Sequence, residues 1–178
     1  PIRSGDLILV QGANGTGKTT LLREWSASAN LPWLPTSPDR RLLGMTVQEE
    51  LDLQHPILYQ QSLMIEPSLN EEAEKLGILQ SALRLELGLS HLSMTTPVHD
   101  LSTGERRRLS LLPLLMRNPS ILLLDEIDHG LDDETLAGLL SQINKSRKKG
   151  SAVVVTSHSP DLTAWAKVSG GRIWRIER

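Results

Sequence analysis

The sequence predicts an α/β fold, a mostly parallel sheet flanked by helices and carrying a helical insertion. Three observations predict it. The runs Leu7–Val10, Ile121–Leu124 and Ala152–Thr156 are short and almost wholly apolar, which is how strands buried on both faces read. Each run precedes a segment with helical spacing, the order that builds a parallel sheet with helices on both sides. A glycine-rich loop separates the first strand from the first helix.

Along the chain, the turn Ser4-Gly5-Asp6 leads into the first strand, and Thr19 to Ser28 reads as a helix. Pro32, Pro35 and Pro38 exclude regular helix from Asn30 to Asp39. From Thr46 to about Leu92 the chain is rich in Leu, Glu and Gln, with Leu76, Leu79, Leu83 and Leu87 at helical spacing, a pattern read as a helical insertion. Alternation resumes at Leu101: a helix over Thr103 to Met116, the strand at Ile121, and a helix over Asp133 to Lys148. The strand at Ala152, a short helix around Asp161 to Ala166 and a last strand near Ile173 to Ile176 complete it. Pro113 is expected to kink or break its helix, because a proline inside a helix removes one hydrogen bond at a cost of about 3 kcal/mol. Trp165 and Trp174 are expected to close the sheet edge.

Composition narrows the function. With 178 residues there is room for one domain and a modest insertion. A net charge of −2 from 19 basic and 21 acidic residues argues against a globally basic nucleic-acid binder. The runs Arg106 to Arg108 and Arg147 to Lys149 lack interleaved aromatics, so solvated helix faces are expected there and nucleic-acid contact is not. The absence of cysteine excludes disulfides and thiolate chemistry and fits a reducing compartment. No run approaches the roughly 20 apolar residues of a membrane span, and no signal peptide is expected in the run from Pro1 to Gln11. The start at Pro1 is expected to reflect loss of the initiator or trimming. A soluble subunit is expected, whose membrane role comes through a partner. His55, His91, His99 and His129 have no metal-ligand spacing, so ordinary polar roles are expected of them.

The chemistry is concentrated at strand ends. Gly12-Ala13-Asn14-Gly15-Thr16-Gly17-Lys18-Thr19 satisfies G-x-x-x-x-G-K-[ST] between a strand and a helix. Glycines let backbone N–H groups turn inward around phosphate oxygens, and the helix adds its positive end. Lys18 is the expected partner of the β- and γ-phosphates and Thr19 of Mg²⁺, with Thr20 at the same helix start. This motif makes the fold a P-loop nucleotide-binding one. At the second strand end, Ile121 to Leu124 runs into Asp125 and Glu126. Asp125 is expected to hold Mg²⁺, and Glu126 to polarise the attacking water as general base. Leu101-Ser102-Thr103-Gly104-Glu105 reads as a helix entry in which Ser102 caps and Gly104 allows close approach of an anion.

Together these pieces resemble the nucleotide-binding subunits of the ATP-binding cassette superfamily. Leu101 to Glu105 matches the signature Leu-Ser-Gly-Gly-Gln, Asp125-Glu126 the Walker B end, Gly130-Leu131-Asp132 the following Leu-Asp element, and His158 the switch histidine. The resemblance implies one cassette over 1–178, with a helical subdomain over about 46–100 and a signature helix over 102–116. It implies ATP and Mg²⁺ as cofactors, ATP hydrolysis coupled to transport, and a second nucleotide-binding subunit whose Ser102 and Gly104 complete the first one's phosphate site. It also implies Asp132 as a nucleotide contact, His158 as a γ-phosphate contact, a transmembrane partner and a cytoplasmic, membrane-peripheral location. Leu42 to Val47 with Glu49-Glu50-Leu51 resembles the ATPases of energy-coupling-factor transporters.

The chain departs from the pattern in four places. Thr36 stands where the family has a Gln, and Ile127 where a Pro is common. The stretch from Thr19 to Pro35 is too short for the usual antiparallel strands, so that subdomain is expected to be largely missing. No adenine-stacking aromatic precedes the loop. Trp25 and Trp33 could substitute, but packing roles are the expectation for both. Two other functions stay open: a soluble cassette ATPase of DNA repair or chromosome maintenance, and an ATP-gated interaction module with little hydrolysis.

Overall fold

A computed structural model describes residues 1–37, 42–54 and 70–176. Pro38 and Asp39, His55 and the rest of residues 55–69 of the expected insertion lie outside the described residues. The chain divides into two compact units, Pro1–Thr36 with Asn118–Arg178, and Ser37–Arg117. The division gathers the helical part between Thr36 and Asn118 and includes the signature helix in it.

The first unit is built on five strands: β1 (Leu7–Gln11), β2 (Trp33–Leu34), β3 (Ile121–Leu124), β4 (Ala152–Thr156) and β5 (Arg172–Arg175). Their order is β2-β3-β4-β1-β5, and every pairing is parallel. The short strand β2, between Pro32 and Pro35, is not apparent from the sequence; it pairs Trp33 with Leu123 and Leu34 with Leu124. Helices α1 (Lys18–Ala29), α5 (Asp133–Lys148) and α6 (Pro160–Val168) belong to the same unit. β1, β3 and β4 are solidly apolar because both faces are covered. Ile8, Val10, Leu22, Leu123 and Val154 form one fully buried cluster, and Trp25, Trp33 and Trp174 pack against it. Trp25 and Trp174 meet edge to face at 6.1 Å. Trp174 thus packs at the β5 edge as expected, and Trp25 and Trp33 are packing residues.

The second unit holds α2 (Val47–Gln54), α3 (Asn70–Glu86), a 3-10 turn (Val98–Asp100) and α4 (Thr103–Met116). α2 and α3 both pack on α4. Leu83 and Leu87 are buried, as the spacing predicts. α3 stops where Gly88 takes a φ of +63°, a left-handed conformation open to glycine, and Leu89 N–H closes back on Arg84 O at 2.7 Å.

The expectation that Pro113 breaks its helix is corrected. α4 runs three residues past it to Met116, and Pro113 is itself buried. Leu109, Leu111, Leu112, Leu114 and Leu115 are buried on the same helix. Each is worth about 1.5–3 kcal/mol, which together outweighs the cost of one missing hydrogen bond.

Candidate nucleotide site

Parallel pairing puts the carboxyl ends of β1, β3 and β4 along one edge of the first unit's sheet, the edge where open α/β sheets take ligands. Three segments leave from it: the loop 12–17 after β1, Asp125-Glu126 after β3, and Ser157-His158 after β4.

The loop is shaped by glycines and empties into a helix that nothing caps. Gly17, the residue before α1, has φ +94° and no side chain bonds the helix start. The first turn carries no acid and the last turn no base, so the positive end of the helix dipole is uncompensated by side chains. By contrast α4, α5 and α6 are capped by Ser102, Asp132 and Ser159. Thr16 ties the loop to itself, its hydroxyl and its N–H both reaching Ala13 O, at 2.9 and 3.2 Å. The Lys18 ammonium lies over the loop, donating to Gly12 O at 2.8 Å and Ala13 O at 3.0 Å, and only 6% of the residue is exposed. Asn14, Gly15, Thr19 and Thr20 are exposed. A buried cation above a collar of glycine and an uncapped helix start is what a polyphosphate requires.

Asp125 is fully buried, and threonine hydroxyls hold both of its carboxylate oxygens. Thr156 donates to Oδ1 at 2.6 Å and Thr36 to Oδ2 at 2.9 Å. Thr36, in the position where the resemblance calls for Gln, therefore acts on this carboxylate. Glu126 adopts φ +46°, unusual for a residue with a side chain. Its N–H donates to the Thr156 hydroxyl at 2.9 Å, and its Oε1 is 3.7 Å from His158 Nε2. Both of those side chains are partly exposed. Ile127, in the place of the common proline, is fully buried. Ser157 donates to Asp128 Oδ2 at 3.0 Å and secures the segment before His158. The unit thus gathers Lys18, Asp125, Glu126 and His158 at the carboxyl edge of one sheet. Thr156 was not singled out from the sequence; the signal was a single hydroxyl ending a run of three valines.

Asp132 caps α5, accepting from Thr135 N–H at 2.8 Å and from the Thr135 hydroxyl at 3.0 Å. Among the described residues no three His, Cys, Asp or Glu side chains converge on a metal site. Mg²⁺ beside a nucleotide takes one or two protein oxygens and completes its shell with phosphate and water. A single buried carboxylate and an exposed threonine hydroxyl fit such a donor set.

In the second unit, the α4 entry is a full capping box. Ser102 Oγ accepts from Glu105 N–H at 3.2 Å, while Glu105 Oε2 accepts from Ser102 N–H at 2.8 Å and from its hydroxyl at 2.7 Å. His91 Nε2 adds a bond to Glu105 Oε1 at 2.8 Å. The Ser102 hydroxyl and N–H, then His91, hold the Glu105 carboxyl down to about 2. Gly104 lies in the first turn of α4, between the two partners of the box.

A glycine collar with its lysine after β1, and an acidic pair at the end of another parallel strand of the same sheet, β3, define a P-loop nucleotide-binding protein. The family model described as ABC transporter matches residues 1–128, and the chain belongs to that family. The cytochrome c biogenesis ATP-binding export protein CcmA of Gluconobacter oxydans is 31% identical over 88% of this chain and 70% of its own length. ABC transporter G family member 26 of Arabidopsis thaliana is 29% identical over 88% of this chain but only 25% of its own length, so this chain spans about a quarter of that relative. Among solved structures, the dimeric post-hydrolysis state of the ATP-binding cassette MJ0796 bound to ADP and Pi superposes with a TM-score of 0.72 at 20% identity. That match covers all of this chain and 86% of the other.

Proposed function

We propose that this chain binds Mg²⁺-ATP and hydrolyses it as the nucleotide-binding subunit of an ABC transporter, acting as a single cassette whose helical part includes residues 46–100. The observation that carries the reading is the buried Lys18 ammonium over the glycine loop, in one unit with the Asp125-Glu126 pair. Gly12, Asn14, Gly15, Thr16, Gly17 and Thr20 line the phosphate loop and the helix start. Thr19 and Asp125 supply the oxygens for Mg²⁺, which neutralises phosphate charge. Glu126 takes a proton from the attacking water and Lys18 balances charge on the transferred phosphoryl group. His158, 3.7 Å from Glu126, orients that carboxylate and meets the γ-phosphate.

A triphosphate on one loop is covered on one side only. The signature helix of a second copy, with Ser102 and Gly104 in its first turn, closes the other side, and Asp132 contributes across the same interface. The dimeric MJ0796 cassette supports this by fold likeness. The work is delivered to a transmembrane partner on the cytoplasmic face, and the Leu42–Val47 stretch favours a cassette of the energy-coupling-factor kind. The matched family and the names of the relatives favour transport over chromosome maintenance. The Glu126–His158 pair favours hydrolysis over a silent ATP-gated module.

Phosphate release by the purified chain with Mg²⁺-ATP tests this. Steady release that Lys18→Ala abolishes is the expected result. ATP binding without any Mg²⁺-dependent release, alone or with a membrane partner, would leave only the silent module.

A further inference from the structure

Thr156 has a place in this site that the phosphate-loop reading does not use. It ends β4, whose preceding residues Val153, Val154 and Val155 are fully buried, and it is itself fully buried. Valine and threonine have nearly the same shape, so packing alone would accept a fourth valine here. A buried hydroxyl costs free energy unless it is hydrogen-bonded, and this one both donates and accepts. Its proton goes to Asp125 Oδ1 at 2.6 Å, and its oxygen accepts from Glu126 N–H at 2.9 Å. The sheet delivers it there: Leu124 is opposite Val155, so the next residues along, Asp125 and Thr156, face each other just past the ladder.

What the hydroxyl holds is demanding. Glu126 sits at φ +46°, a backbone state that is costly for a residue with a side chain and persists only where the surroundings enforce it. The bond from its N–H to Thr156, with the His129 N–H to Glu126 O bond at 3.0 Å, enforces it here. That turn sends the Glu126 carboxylate toward His158 while Asp125 stays buried.

We propose that Thr156 is the positioning residue of the acidic pair, one hydroxyl fixing the Asp125 carboxylate for Mg²⁺ and the Glu126 backbone for its turn. The proposal rests on the nucleotide-site reading above and adds a residue to it. Thr156 acts through its two neighbours, Asp125 and Glu126.

The test compares Thr156→Val, which keeps the shape and removes the hydroxyl, with Thr156→Ser, which keeps the hydroxyl. Two readouts are taken with the purified chain: phosphate release, and binding of a fluorescent ATP analogue with Mg²⁺ or with chelator. Thr156→Val should lower kcat by about 10- to 100-fold, the scale of an ångström's misplacement, with a smaller change in KM. It should also reduce the gain in nucleotide affinity that Mg²⁺ provides, with affinity in chelator unchanged. Thr156→Ser should stay within about threefold of the parent on both readouts, since it retains both hydrogen bonds.

Normal kcat and normal Mg²⁺ dependence in Thr156→Val would overturn the proposal, as would a Thr156→Ser variant as impaired as Thr156→Val. If Thr156→Val does not fold, Thr156→Ser is compared with Thr156→Ala. Both lack the methyl group, and equal activity in the two would overturn the role of the hydroxyl. If Lys18→Ala is inactive while Thr156→Val behaves as the parent, the nucleotide-site reading stands and this proposal alone fails. If the parent neither binds nor hydrolyses ATP, the broader reading fails with it.

Discussion

Two residues at the sheet edge carry opposite physical burdens. Glu126 holds a left-handed backbone and leaves its carboxylate partly exposed beside His158. It is therefore placed to take a proton and not needed to bind phosphate. Glu126→Gln should lower hydrolysis by about 10²–10⁴ while ATP binding persists, because an amide fills the space but accepts no proton. Phosphate release beside nucleotide titration checks this, and near-normal turnover would remove Glu126 from the role of base. Gly12 carries a steric burden instead. A Cβ there would stand 2.6 Å from Thr16 Oγ1 and 2.8 Å from Ile176 O. The backbone oxygen cannot rotate away, so Gly12→Ala must displace the loop. ATP affinity should fall by about tenfold or more while circular dichroism stays that of the parent; parental affinity would show that the collar tolerates the shift.

Elements differ in how openly the sequence declares them. β1, β3 and β4 are visible as uninterrupted apolar runs because both of their faces are covered. β2 is not, because a two-residue strand between prolines has no periodicity to read. The phosphate loop and the acidic pair are legible as local strings. The clamp of Thr156 and Thr36 on Asp125 is not, because it joins residues from three strand ends and depends on β4 lying beside β3. Pro113 misleads for the converse reason: its local cost is plain in the string, whereas the buried leucines that offset it act through tertiary packing. The entry of α4 is local again, and it yields a pH dependence. Folding lowers the Glu105 carboxyl from 4.5 to about 2. A depressed carboxylate contributes stability that is fully present above its unfolded value and is lost as pH falls through the folded one. Glu105→Gln keeps an acceptor for the Ser102 N–H but has no charge to titrate. The stability gap between parent and variant should therefore be constant above about pH 5 and shrink toward pH 2. Urea unfolding of both proteins across that range measures it; a gap independent of pH would show that the charge of Glu105 contributes nothing.

At the scale of the molecule, the phosphate loop and the signature fall in different compact units, the loop in the sheet-bearing unit and Ser102 in the helical one. The dimer proposal makes that division consequential: each ATP would use the loop of one copy and the signature of the other. Two-fold symmetry then gives two equivalent sites per dimer. The consequence can be tested by mixing two damaged chains. Lys18→Ala removes the loop's cation, and Ser102→Arg puts a bulky side chain at the signature. Each variant alone has both of its sites damaged and should release little phosphate. When the two are mixed, about half of the dimers are mixed ones if pairing is random. Each mixed dimer holds one site with both lesions and one site with neither. The mixture should therefore recover about a quarter of parental activity, since one site in two is intact in half of the dimers. A site contained within a single chain predicts otherwise. Both variants would then carry their defects into every dimer, or the Ser102→Arg chain would be active by itself, and mixing would restore nothing. Recovery that depends on the ratio of the two chains, greatest at equal amounts, would be the signature of a shared site; activity that at no ratio exceeds the weighted sum of the two chains alone would exclude one.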